Sequence, residues 1–214
     1  VSMPLKGRRL LVAVSGSIAA VKTPLLVSAL VKAGAEVRCL VTPSAAKLVS
    51  PLALATLSRH RCYTEDDGWD ASCSRPLHIE LAEWVELVLL APLSATSLSR
   101  WSQGSADGLL ASVLLACECP VLAAIAMNTA MWSHPAVQRN WQVVQTFPGV
   151  VPLMPQPGLL ACDRLGDGRM ADPMLIELAA SSLFSRCDTG PVANREWSGR
   201  RLMVSAGPTV EPID

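Results

Sequence analysis

Apolar residues fall along this chain in short unbroken runs that alternate with stretches of helical spacing. Arg9–Val14 is such a run, closed by Ser15-Gly16-Ser17, and it predicts a strand buried on both faces. From 18 to 32 the apolar positions are 18, 21, 25, 26, 29 and 30, one face of a helix that ends at Gly34. Glu36–Val41 predicts a second strand, followed by Thr42-Pro43-Ser44. Residues 58–76 are polar and predict a loop. Leu77–Trp84 predicts a short helix, 87–91 a strand, and Ser94 opens a helix running to about Gln103. A turn at 104–108 leads to a helix at 109–117. Val121–Ile125 then predicts a strand that delivers Ala126-Met127-Asn128-Thr129-Ala130-Met131-Trp132. A helix from His134-Pro135 to about Gln145 and a strand at Val150–Leu153 come next.

After residue 155 the pattern changes. Residues 155–173 carry Gly158, Gly166 and Gly168 around Ala161-Cys162-Asp163, a composition that predicts a mobile flap. A closing amphipathic helix is expected at 174–187, a polar linker at 188–200, and the start of a second domain at 201–214. Strand and helix alternate throughout residues 1–187. The expected fold is α/β, a Rossmann- or flavodoxin-like doubly wound parallel sheet with helices on both faces. In such a sheet the ligand chemistry gathers at the turns that follow the strands.

Composition narrows the class of partner. Lysine plus arginine and aspartate plus glutamate each number 18, so the formal charge is zero. No basic block is present, which argues against nucleic acid or an anionic membrane as the main partner. The apolar stretch at 109–127 is broken by Glu118 and Pro120 and reads as helix, turn and strand rather than a membrane span. Seven cysteines without a dense framework predict free thiols in a reducing, cytoplasmic setting. Cys117 and Cys119 form a C-x-C, but no second pair or histidine cluster completes a metal site, and none is expected.

The candidate chemistry sits at the strand ends. Gly16 lets the backbone approach a ligand, Ser17 adds a hydroxyl, and the helix that follows favours an anion. The turn lacks G-x-G-x-x-G and the P-loop lysine, which favours a mononucleotide phosphate over a dinucleotide or ATP; an ordinary tight turn is the plainer alternative. Thr42 and Ser44 could complete the same phosphate site, or Ser44 could be a helix cap. Ser94-Ala95-Thr96-Ser97 is a third hydroxyl-rich strand end. His78 could act as a base near neutral pH, or simply cap a helix or face solvent. Asn128 offers both a donor and an acceptor, suited to gripping a carboxylate or a carbonyl, with Met127, Met131 and Trp132 as an apolar wall. Its alternative is an Asn-initiated turn with Met and Trp in the core. Cys162 is either a flap-borne reactive thiol or an incidental one.

Taken together and in order, Ser15-Gly16-Ser17-Ile18-Ala19-Ala20, His78-Ile79-Glu80-Leu81, Ala91-Pro92-Leu93-Ser94-Ala95, Ala126 to Trp132, Ala161-Cys162 and Gly166-Asp167-Gly168-Arg169-Met170 resemble the homo-oligomeric flavin-containing cysteine decarboxylases. Within that family the likeness is to the phosphopantothenoylcysteine decarboxylases of coenzyme A biosynthesis, over about residues 8 to 187. Ser205-Ala206-Gly207-Pro208-Thr209 resembles the opening of a phosphopantothenate–cysteine ligase domain. The resemblance implies FMN, with Gly16, Ser17, Ile18, Thr42 and Ser44 at its phosphate. Ser94, Ala95, Thr96, Ser97, Ala126 and Met127 would lie along the flavin. It also implies a trimer or a dodecamer, with the flavin between subunits.

The implied reaction is redox-neutral. A cysteine carboxylate has no electron sink at its β-carbon, and oxidation of the CH2–SH group to a thioaldehyde by FMN supplies one. His78 then assists removal of the thiol proton, and Asn128 binds the carboxylate. Met131, Ala161, Arg169 and Met170 line the substrate, and Cys162 returns a proton after CO2 is lost. The chain departs from the family at several places. Ile125 stands where proline is usual, Thr96-Ser97 where Asn-Thr is usual, Gly108 where Asp or Asn is usual, and Val210 where Arg is usual. A peptidyl-cysteine decarboxylase, a flavin prenyltransferase and a flavin-binding regulatory subunit are the competing readings.

Overall fold

Strands form at Arg9–Val14 (β1), Glu36–Val41 (β2), Val121–Ile125 (β5) and Val150–Leu153 (β6), where the apolar runs place them. Two more, Cys62–Tyr63 (β3) and Leu87–Leu93 (β4), complete a parallel sheet in the order β3-β2-β1-β4-β5-β6. This is a computed structural model, and it describes residues 3–70, 74–159 and 165–188. The two central strands are in register along their length: β1 runs beside β2 from Arg9↔Glu36 to Val14↔Val41, and beside β4 from Leu10↔Leu87 to Ala13↔Leu90.

Both faces of the sheet are covered, as the unbroken apolar runs require. Side chains alternate along β1, so Leu10, Val12 and Val14 enter one core and Leu11 and Ala13 the other. The first core is closed by helices Thr23–Lys32 (α1), Pro51–Ser58 (α3) and Pro173–Asp188 (α9), through Leu26, Leu30, Leu54, Ile176 and Ala180. The second is closed by Leu77–Trp84 (α4), Ala95–Ser102 (α5), Leu109–Ala116 (α6) and Pro135–Gln145 (α8), through Leu81, Leu98, Val113 and Trp141. Each fully buried leucine contributes roughly 1.5–3 kcal/mol of transfer free energy. Among the described residues no helix is long and apolar enough to cross a membrane.

Four local expectations change. The single helix expected at 18–32 is a 3-10 turn at Ile18–Lys22 followed by α1. Pro24 has no N–H to donate to residue 20, so the α-helical ladder starts afresh there. The loop expected at 58–76 contains β3 and a 3-10 turn at Asp66–Trp69, elements too short to leave a period in the sequence. Asp67 shapes this segment by accepting from the Thr64 amide at 2.7 Å and the Thr64 hydroxyl at 3.0 Å. β4 continues past Ala91 to Leu93, with an irregular register between Leu90 and Leu93. The expected flap is based on an antiparallel hairpin, Gln156–Leu159 (β7) with Leu165–Arg169 (β8). Gly158 sits at φ +151, a backbone conformation that a residue with a side chain adopts only under strain, and the Arg169 side chain lies across it. Ala161 and Cys162, the expected linker from 189 on and the expected start of a second domain at 201–214 lie outside the described residues.

Candidate active site

The strand order reverses between β1 and β4, and the crevice beyond their carboxyl ends is where a doubly wound sheet holds its ligand. Ser15, fully buried just past β1, joins the two ends. Its hydroxyl donates to the Pro92 carbonyl at 2.7 Å and accepts from the Ser94 amide at 2.8 Å. The hydroxyl of Thr23, also buried, donates to the Ala91 carbonyl at 3.2 Å. Sequence reasoning read Ser15 only as part of a turn and overlooked Thr23. A polar residue directly after an apolar run was the available signal, since a buried hydroxyl must find partners.

On the β2 side of this crevice lie Gly16, Ser17, Thr42 and Ser44. A β-carbon on Gly16 would fall 2.5 Å from the β-carbon of Ser44, so only glycine allows the two strand-end turns to approach this closely. The Ser17 side chain accepts from the Ala19 amide at 3.4 Å. Thr42, not Ser44, caps the short helix Pro43–Ala46 (α2), accepting from the Ala45 amide at 3.3 Å. A hydroxyl that accepts a cap bond keeps its hydrogen for a ligand. Ser44 is left exposed beside Gly16, with Ile18 55% exposed on the neighbouring turn. This hydroxyl-rimmed saddle, with backbone bare at Gly16, fits the phosphate monoester expected of FMN.

The third strand end, at Ser94, caps α5 by accepting from the Ser97 amide at 3.4 Å. Ser94 and Ser97 are buried, Ala95 is half-buried and Thr96 is exposed on the outer side of the helix. Thr42 and Ser97 border one recess, together with Glu65, Arg100 and Ala111. The departure at Gly108 has a local counterpart here. Glu65 reaches across to accept from the Leu109 amide at 2.9 Å, capping α6 where Gly108 has no side chain to do so.

Asn128 stands at the end of β5. Its side-chain oxygen accepts from the Ala130 amide at 2.9 Å, fixing the amide plane as the N-cap of Thr129–Trp132 (α7). The turn is anchored on two sides: the Ala126 amide donates to Leu93 at 3.1 Å and the Met127 amide to Gly168 at 3.1 Å. The hairpin therefore docks directly on the Asn128 turn. A β-carbon on Gly166 would collide with Thr129 Oγ1 and come within 3.2 Å of the Thr129 β-carbon. Thr129 Oγ1 itself is buried without a hydrogen-bond partner among the described residues.

The apolar wall expected around Asn128 is smaller than anticipated. Met131 is 49% exposed, but Met127 is buried and Trp132 packs into the core against Trp141, ring centroids 6.2 Å apart. Met170, expected against the substrate, is 1% exposed and joins the core of Ile176 and Ala180, because it follows the hairpin just where the chain turns into α9. Arg169 lies over Gly158 on the hairpin.

His78 sits half-buried in the first turn of α4. It borders an open groove with Trp69, Arg75, Asp107, Leu109 and Ser112. No residue of 126–132 borders that groove. Trp69, 85% exposed, stands at its edge.

The Flavoprotein family profile matches residues 1–179. The chain is 40% identical, over 98% of its length, to the coenzyme A biosynthesis bifunctional protein CoaBC of Bacillus subtilis (strain 168). It spans about half the length of the curated relatives it matches, 50% in that case. Among solved structures, a cysteine-to-serine mutant of PPC decarboxylase complexed with pantothenoylaminoethenethiol superposes with a TM-score of 0.78 at 33% identity, covering 84% of this chain and 100% of the other. The FMN binding protein AtHal3 superposes with a TM-score of 0.76 at 33% identity, covering 85% and 98%.

Proposed function

Because the chain belongs to the Flavoprotein family, we propose that it is an FMN-dependent decarboxylase that converts 4′-phosphopantothenoylcysteine to 4′-phosphopantetheine in coenzyme A biosynthesis. The observation that carries this reading is the docked pair of Asn128 turn and glycine hairpin beside the β1–β4 crevice. Gly16, Ser17, Thr42 and Ser44 would hold the FMN phosphate, and Ser94, Ala95, Ser97 and Ala126 the strand-end side of the ring. When bound, FMN supplies the oxidation of the CH2–SH group that makes CO2 loss possible, and the hydride that is later returned.

The protein's own residues supply the rest. Asn128, held by its cap, grips the substrate carboxylate and sets the Cα–Cβ bond for cleavage. His78 takes the thiol proton, and Cys162 protonates the carbon left after CO2 departs. Met131 lends an apolar contact from the exposed side of the turn. The groove beside His78 does not include the Asn128 turn, and a working site that uses both residues would be completed between copies in a homo-oligomer. Exposed Trp69 and Met131 are the apolar surfaces such an assembly would cover. Residues 1–187 form the decarboxylase unit. Residues 201–214 begin a ligase unit, in keeping with the chain's matching half of a bifunctional relative.

The test is a comparison of substrates with the FMN-loaded protein. CO2 released from 4′-phosphopantothenoylcysteine, and not from a peptide ending in cysteine, supports this assignment. The reverse preference would make it a peptidyl-cysteine decarboxylase, and no release from either would leave a flavin-binding protein.

A further inference from the structure

One carboxylate borders two openings. Glu65 lines both the recess that holds Thr42 and Ser97 and the groove that holds His78. It follows β3, and its carbonyl accepts from the Gly68 amide at 3.1 Å, at the turn that carries Trp69. Its half-buried side chain reaches a helix 44 residues further on. There both carboxylate oxygens accept from the Leu109 amide, at 2.9 and 3.1 Å.

Gly108, the N-cap of α6, has no side chain to take that bond, and it too borders both openings. Its backbone is extended at φ −172, ψ 164, which any residue adopts. A β-carbon there would nevertheless lie 3.1 Å from Glu65 Oε2, tighter than an ordinary contact. The carboxylate thus fills the space that a capping side chain at 108 would need.

What this bond holds is shared by both openings. α6 contributes Leu109 and Ser112 to the His78 groove, and Leu110, Ala111 and Leu114 to the recess beside Ser97. It also packs on α4, the helix whose first turn bears His78. We propose that Glu65 is a positioning residue, which by tying the segment after β3 to the start of α6 keeps in place the wall common to the recess that receives FMN and the groove that bears His78. The His78 half of this role rests on the decarboxylase reading above; the flavin half does not. A carboxylate suits the task because the first amides of a helix are unpaired donors at its positive end, and a charged acceptor holds them more tightly than a neutral one.

The experiment is a double-variant cycle on Glu65→Ala and Gly108→Asp. Each protein is titrated with FMN, followed through thermal unfolding, and assayed with saturating FMN for CO2 from 4′-phosphopantothenoylcysteine. Glu65→Ala should weaken FMN binding about tenfold. It should also lower kcat about tenfold with KM within about twofold of wild type, because the wall moves while the substrate contacts remain. Gly108→Asp alone should lose FMN affinity too, since its β-carbon and charge crowd the Glu65 carboxylate. Combined, the two changes should do better than either one, because the new aspartate caps α6 in the space that Glu65 vacates. Glu65→Gln keeps one acceptor oxygen and should fall between wild type and Glu65→Ala, which preserves the comparison if the alanine variant does not fold. Wild-type affinity and kcat in Glu65→Ala, or wild-type affinity in Gly108→Asp, would overturn the proposal. So would a double variant that regains thermal stability but not FMN affinity. A wild-type protein that binds FMN and releases no CO2 would instead remove the decarboxylase reading, and the FMN titrations would still decide the role of Glu65.

Discussion

Gly16 and Ser44 come so close that a single methyl group on the glycine would sit 2.5 Å from the serine β-carbon. Only the absence of a side chain at 16 lets the β1 and β2 turns share a ligand. Gly16→Ala should weaken FMN binding by about tenfold or more, a cost of about 1.4 kcal/mol, with the fold retained by circular dichroism. Adding Ser44→Gly removes the colliding carbon and should restore part of the affinity in a flavin-fluorescence titration. Unchanged binding by Gly16→Ala would remove the saddle from the account.

Ser15 fills both roles of its hydroxyl inside the core, between Pro92 and Ser94. Ser15→Ala leaves the Ser94 amide without that acceptor, and should cost about 1–3 kcal/mol in a urea unfolding curve. A smaller loss would mean that water or a rotated neighbour replaces it.

Asn128 separates stability from chemistry. Aspartate is an equally good N-cap, so Asn128→Asp should unfold within about 0.5 kcal/mol of wild type, whereas Asn128→Ala should lose about 1 kcal/mol. Both should cut CO2 release by about a hundredfold, the Asp variant through repulsion of the substrate carboxylate, a loss of about 2.7 kcal/mol in transition-state binding. An active Asp variant would contradict the carboxylate-gripping role.

Gly166 is the hairpin's point of contact with the Asn128 turn. Gly166→Ala should lift the hairpin and lower kcat by about tenfold, because the alanine meets Thr129. Thr129→Ala in the same protein removes the hydroxyl and methyl groups in its way and should recover much of the rate. If the double variant is no better than the single, the hairpin's position does not depend on this packing.

Alkaline stability reports the buried thiols. In the folded protein burial raises Cys62 to about 12 and raises Cys39 as well, against an ordinary value of 9.0 for each. Both therefore hold their protons in the folded state while the unfolded chain releases them above pH 9. Their contribution is complete below the ordinary value and is lost as pH rises toward the folded value, at roughly 1.4 kcal/mol per pH unit for each thiol. Cys62→Ala should flatten the decline measured between pH 9 and 11. An unchanged slope would show that the thiol ionises alike in both states.

The sheet was legible because its strands are buried on both faces, and unbroken runs such as those of β1 and β5 have no competing interpretation. The strand-end serines and Asn128 were legible for the same reason, since each follows such a run directly. What escaped depends on tertiary partners. Ser15 and Thr23 become bridging hydroxyls only once β4 lies beside β1. The 3-10 turn before α1 could have been read from Pro24. The hairpin under the flap was hidden by its glycines, which have no strand propensity of their own and are explained only by the φ of +151 at Gly158 and by Thr129 against Gly166. Met170 was expected at the site from the family likeness and Trp132 as part of an apolar wall around Asn128, but both are turned into the core.

The most direct test of the account is a single anaerobic mixing of the FMN-loaded Cys162→Ser variant with 4′-phosphopantothenoylcysteine, following CO2 and the flavin absorbance near ~450 nm together. The account predicts CO2 release with the absorbance bleached and not restored, because oxidation and CO2 loss precede the proton that Cys162 supplies. No CO2 and an unaltered flavin spectrum, with wild type equally silent, would contradict it.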